Sequence, residues 1–142
     1  MDEPLLYIID DDLISIFDIK IRLHQSSYKH RTKSFDNTSA AFNMLASDYR
    51  HIDGVPDIIM VNFDLEGMDG LAFLINLEKN GLLSDKTHVY IFSIYGVPEH
   101  MKKADGHRLI KGWFTKPISN RDIENIFSNY FNQGNSGQLR AM

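Results

Sequence analysis

The sequence predicts a doubly wound α/β fold, a five-stranded parallel sheet with helices on both faces, and three observations carry that prediction. Short apolar runs of strand-forming residues alternate five times with segments of helical periodicity. The connections between them are short enough for crossover units. The central run, Ile58 to Val61, is apolar on both faces, as a strand buried between helices has to be, and it ends abruptly in Asn62 and Asp64.

Taken in order, Leu5 to Ile9 reads as a first strand closed by Asp10, Asp11 and Asp12. A helix follows from Leu13 to about Gln25, with Phe17 and Ile21 at helical spacing and Asp12 as its cap. Tyr28 to Phe35 is polar and basic and fits a short edge strand. Asp36 to Ser39 are cap-type residues, and Ala41, Phe42, Leu45 and Tyr49 form the stripe of a second helix. After the central strand, Gly67, Asp69 and Gly70 supply a turn and a helix start. Leu71, Phe73, Leu74, Ile75 and Leu77 carry that third helix to a stop at Asn80 and Gly81. His88 to Phe92, ending in Ser93, is a fourth strand. A marginal helix is expected from Gly96 to Gly106, then a fifth short strand, Trp113 to Thr115, leading into Lys116 and Pro117. Ile123, Ile126, Phe127, Tyr130 and Phe131 make the clearest amphipathic helix of the chain. One domain over residues 1–132 and a loose polar tail over 133–142 are expected.

Composition narrows the function classes. With 142 residues, 43% hydrophobic and 24% charged, the chain suits one domain with a full core. A formal net charge of −4 and the lack of a basic stripe argue against nucleic acid as a partner. There is no cysteine, which excludes disulfides and thiolate metal sites. No apolar run nears the about 20 residues that cross a bilayer, so no membrane association is expected. The acidic start MDEPLLYIIDDD lacks the features of a signal peptide, and a cytoplasmic location is expected.

In a parallel sheet the polar residues that close each strand fall along one edge, where open α/β sheets bind ligands. Asp10 and Asp11, Asn62, Ser93 and Lys116 would therefore converge. With the PD-apolar strand, the GMDG that follows it and Lys116-Pro117, these residues stand in an order and spacing that resembles a response regulator receiver domain, the signalling module of two-component systems. The resemblance runs from Leu5 to about Phe131. It implies the flavodoxin-like strand order 2-1-3-4-5. It also implies a single-domain receiver in a phosphorelay, not an enzyme, whose partners are a sensor histidine kinase, a phosphotransfer protein or a downstream effector. Carried over by position, Asp10, Asp11 and the backbone carbonyl of Asp64 match ligands of a magnesium ion. Ser93 and Lys116 match the phosphoryl contacts, and Trp113 matches the aromatic switch residue. The implied output surface takes in His100 to Leu109, Trp113 and the outer side of the last helix.

The departure is at the centre. The position of the phosphoacceptor aspartate holds Asn62. A neutral amide has no oxygen comparable to a carboxylate nucleophile, so Asn62 is not expected to accept phosphate. One hard anionic ligand is also lost, which lowers the expected magnesium affinity. Glu66 stands where many receivers carry proline, at the expected rim of the pocket. The resulting expectation is an atypical receiver that acts through protein-protein interaction. Three other readings stay open. Asp64 is a substitute acceptor; or the acceptor is an aspartate altered to asparagine in an otherwise conventional receiver; or Asp10, Asp11 and Lys116 serve metal-assisted, phosphatase-like chemistry. Trp113 also has a plainer reading as core cover.

Overall fold

The computed structural model describes residues 3–49, 51, 54–96 and 109–132. The helix expected from Gly96 to Gly106, nearly all of the expected output segment and the tail 133–142 lie outside them. In chain order the elements are β1 (Leu5–Ile9), α1 (Leu13–Gln25), β2 (Arg31–Phe35), α2 (Thr38–Asp48), β3 (Ile58–Asn62), α3 (Gly70–Lys79), β4 (His88–Ser93), β5 (Ile110–Thr115) and α4 (Asn120–Asn132). All strand pairs are parallel, in the order β2-β1-β3-β4-β5.

Burial follows position in the sheet. Every residue of β1, β3 and β4 is buried, whereas the edge strands β2 and β5 are mostly half-covered. Because side chains alternate across a strand, β1 feeds two cores. Leu5, Tyr7 and Ile9 join Leu45, Phe73 and Leu77 on the α2 and α3 side. Leu6 and Ile8 join Ile19, Leu23, Ile126 and Phe127 on the α1 and α4 side. Full burial of one such side chain contributes about 1.5–3 kcal/mol, so the two cores carry most of the stability.

Local signals set the helix ends. The carboxylate of Asp12 accepts from the Ile14 N–H (3.0 Å), Asn37 from Ala40 (2.8 Å) and Asp69 from Ala72 (2.7 Å), which starts α1, α2 and α3. Ser119 and Asp122 form a reciprocal box at the start of α4, each backbone N–H donating to the other's side chain at 3.0 Å. Gly81, with φ of +68°, follows the end of α3. Gly70 has a different task. A Cβ there would stand 2.5 Å from the Asn62 carbonyl oxygen, so glycine lets α3 begin directly against the end of β3.

The sheet decides one helix face that the sequence left open, and three expectations need correction. In α1 the core face is Ile16, Ile19 and Leu23, while Phe17 and Ile21 lie on the exposed side. The helix carries two apolar stripes of the same period, and the sheet accepts only one. The second strand begins at Arg31, not Tyr28; Tyr28 stacks on Phe127 instead. The fifth strand begins at Ile110, not Trp113, with a bulge opposite Val89 and Tyr90. Gly112, which weakens the strand signal, makes room there for the Tyr90 ring. Leu109 is buried in the α2 and α3 core and is no part of an outer surface.

Candidate functional site

At the carboxyl edge of the sheet the strand-end residues are joined into one hydrogen-bonded network. Asp10 follows β1 and is fully buried. Its backbone N–H donates to the Phe35 carbonyl (3.0 Å), continuing the β1–β2 ladder and aiming the side chain across the strand ends. One carboxylate oxygen, Oδ1, accepts from the Asp12 N–H at 2.9 Å, and the other, Oδ2, accepts from Lys116 Nζ at 2.6 Å. Lys116 is delivered by β5, where its own N–H donates to the Ser93 carbonyl at 2.9 Å, just before the cis Lys116–Pro117 peptide. Its ammonium also sits 5.6 Å from the centre of the Phe92 ring.

Asn62 is the last residue of β3 and is buried. Its amide Nδ2 donates to the Asp64 carbonyl at 3.2 Å, and its Oδ1 is buried without a hydrogen-bond partner. An acceptor left in that state costs about 1–3 kcal/mol. Ser93, closing β4, donates from Oγ to the Asp64 carboxylate at 2.6 Å and accepts from the Tyr95 N–H at 3.2 Å. Asp11 is exposed and accepts from the Glu66 N–H at 3.0 Å. Both residues line a hollow of about 310 Å³ with Asn37 and Thr38, which puts Glu66 at the rim.

Asp10, Asp11, Asn62, Asp64, Ser93 and Lys116 are thus drawn together from four strand ends. Trp113 is not in the network; it packs half-buried against the α2 and α3 core. Sequence reasoning missed two links, the Asp64 side chain holding Ser93 and the choice of Asp10 as the partner of Lys116. Only the presence of these polar residues at strand ends hinted at either.

The family model for the response regulator receiver domain matches residues 6–128. The chain belongs to that family. Among solved structures, this receiver is similar to a two-component response regulator from Cytophaga hutchinsonii, with a TM-score of 0.84, 20% identity, and 93% of this chain and 100% of that one covered. A response regulator from Legionella pneumophila follows at 0.76 and 19%, covering 93% and 100%. The phosphorylated cyanobacterial phytochrome response regulator RcpA follows at 0.73 and 17%, covering 92% and 95%. At these identities the likeness is one of fold. No curated protein matches the chain.

Receiver domains bind Mg²⁺ at the acceptor site, and the donor set here can be tested against that ion. Mg²⁺ wants near-octahedral oxygen donors with at least one or two carboxylates free to face it. In this receiver both oxygens of Asp10 are engaged, Asp11 Oδ2 holds Glu66, and the Asp64 carbonyl holds the Asn62 amide. Among the described residues no group of three or more His, Cys, Asp or Glu side chains is placed to hold a metal. What remains is the neutral Asn62 Oδ1 and the second oxygen of the exposed Asp11 carboxylate. As arranged, one neutral oxygen and one exposed carboxylate oxygen are a poor set for the ion. Lys116 pairs with Asp10.

Proposed function

We propose that this receiver works in two-component signalling as a protein-binding module that accepts no phosphoryl group at Asn62. The observation that carries the reading is the state of residue 62. At the end of β3, where the family resemblance places the acceptor carboxylate, stands a buried amide whose nitrogen is tied to Asp64. Attack on phosphorus needs an electron-rich oxygen, and a carboxamide oxygen is a poor nucleophile beside a carboxylate. The arrangement around it is consistent with that change. With an aspartate at 62, Asp10, Asp11, Asp64 and Lys116 would leave three net negative charges on this edge, and with Asn62 they leave two. Lys116 is then free to pair with Asp10, and the site carries less like-charge repulsion than an aspartate at 62 would give it.

On this reading Ser93 and Lys116 keep the fold of the site rather than contact a phosphoryl group, and the domain is not an enzyme. Partner binding then biases whatever conformations it has, through differential affinity for them. The partners are proteins of the phosphorelay: a histidine kinase, a phosphotransfer protein or an effector.

Intact-mass spectrometry after incubation with Mg²⁺ and acetyl phosphate tests this, with Asn62→Asp alongside. The expected result is a labile phosphoryl mass on the variant alone. A phosphoryl mass on the unaltered protein would overturn the reading and make Asp64, whose carboxylate lies on Ser93, the first acceptor to map.

A further inference from the structure

We propose that the Asn80–Gly81 step, at the carboxyl end of α3, is a deamidation site at which the folded receiver loses ammonia and takes up water to become aspartate or isoaspartate. Asn80 is the only asparagine in the chain that glycine follows. Ring closure brings the backbone nitrogen of the next residue onto the asparagine side-chain carbon, and every other asparagine is followed by a residue whose own side chain hinders that approach. Asn80 and Gly81 are both exposed, so water and hydroxide reach the step. Gly81 has a φ of +68°, and nothing beyond its own chain neighbours lies within 4 Å of where a Cβ would stand.

The same step closes α3. The Gly81 N–H donates to the Glu78 carbonyl at 3.0 Å and the Leu82 N–H to the Leu77 carbonyl at 2.9 Å, the paired bonds of a Schellman motif, and Leu82 is buried in the α2 and α3 core. The Asn80 side chain adds a third tie, its Nδ2 donating to the Asn76 carbonyl at 2.8 Å. Attack therefore waits for the last turn to open, since Gly81 has to release Glu78 and the Asn80 amide has to release Asn76. Once it has given its proton to hydroxide, the Gly81 nitrogen bonds to Asn80 Cγ, the Cγ–Nδ2 bond breaks, and the amide nitrogen leaves as ammonia with a proton from water. Water then opens the succinimide at one of its two carbonyls. Addition at Cγ gives aspartate, and addition at the backbone carbonyl gives isoaspartate, with the chain rerouted through Cβ. Isoaspartate inserts a carbon into the backbone between positions 80 and 81 and so displaces both Schellman bonds and the seat of Leu82. Aspartate sets a carboxylate on the negative end of the helix dipole and removes the donor to Asn76.

Asn62 is shut out of this chemistry. It is 3% exposed, Phe63 follows it, and the Phe63 N–H donates to the Phe92 carbonyl at 2.8 Å in continuation of the β3–β4 ladder. Freeing that nitrogen means parting strands in the middle of the sheet, so spontaneous deamidation does not hand this receiver an acceptor aspartate.

Incubation of the full chain in mildly alkaline buffer made with oxygen-18 water, followed by peptide mapping with fragmentation that tells aspartate from isoaspartate, reads the reaction at each asparagine. The expected result is conversion at Asn80 with uptake of the label, a rate that rises in proportion to hydroxide, and no change at Asn62. Isoaspartate is expected to be the larger product, because the nitrogen on the α-carbon makes the backbone carbonyl the more electrophilic one. A synthetic peptide spanning Asn76 to Ser84 is expected to convert about tenfold faster than the folded chain, since nothing holds its Gly81 nitrogen. Asn80→Gln, whose ring closes far more slowly, is expected to keep the site unchanged. Converted chain, separated by its added negative charge, is expected to melt lower than the unaltered protein and lower than Asn80→Asp, which carries the charge without the extra backbone carbon. Conversion at Asn80 no faster than at Asn37 or Asn120, which are also exposed but are not followed by glycine, overturns the proposal. So does conversion at Asn62 ahead of Asn80.

Discussion

Two buried carboxylates in this receiver are each held by a lysine, and they differ in what surrounds them. Asp48, at the end of α2, has one oxygen that accepts from both the Tyr7 hydroxyl and Lys33 Nζ, the latter at 2.9 Å. Asp10, at the end of β1, is held by Lys116 at 2.6 Å. The first cluster ties β1, β2 and α2 together under the sheet, and its lysine side chain is still 39% exposed. The second has a lysine only 10% exposed and an unpartnered amide oxygen in the same strand-end network. Burial and ion pairing are common to both, so neither of them marks a functional site. The distinguishing feature is convergence from several strand ends; a buried unpartnered polar atom also occurs away from that edge, at the Tyr49 hydroxyl.

The largest expected effect separates the two lysines. Lys116→Met strands a fully buried carboxylate and is expected to lower unfolding free energy by about 3 kcal/mol or more in urea denaturation. Lys33→Met should cost less than about 1 kcal/mol, because water already screens that ammonium and Tyr7 still donates to Asp48. Equal losses would erase the comparison. Next, Asp48→Ala leaves the Tyr7 hydroxyl buried without an acceptor and should cost about 1–3 kcal/mol, with Tyr7→Phe losing less.

Asn62→Asp comes third. A second carboxylate beside Asp10 should reduce stability in chelator by about 1–2 kcal/mol, the scale of a one-unit shift from a like charge. Added Mg²⁺ should restore the variant and leave the unaltered protein's melting temperature where it was. A Mg²⁺-dependent rise in the unaltered protein would show that its donors rearrange to hold the ion.

The smallest effect is in pH. Burial raises the Asp48 pKa, but the Tyr7 hydrogen bond and the Lys33 ammonium outweigh it, and the carboxyl is held below its ordinary value of 3.8. The unfolded chain therefore binds the proton first as pH falls. The contribution of Asp48 is full above that ordinary value and disappears as pH drops through the lowered native one. The stability gap between the unaltered protein and Asp48→Asn should stay flat from neutral pH to about pH 4 and narrow below it.

The strands and their ends were readable because β1, β3 and β4 are covered on both faces, which forces continuous apolar runs, and because each run stops at a polar residue. Residue type and local period are properties of neighbouring positions. They sufficed for the alternation of elements, for the helix caps at Asp12 and Asn37, and for the set of residues gathered at one edge of the sheet. They did not suffice for α1, whose two stripes share one period; contact with the sheet chose Ile16, Ile19 and Leu23 over Phe17 and Ile21. Nor did they reveal that Tyr7, inside an apolar run, answers to Asp48, or that Lys116 reaches back 106 positions to Asp10. Which donor meets which acceptor across such separations depends on how strands are ordered and how far side chains reach, and those quantities exist only once the chain has folded.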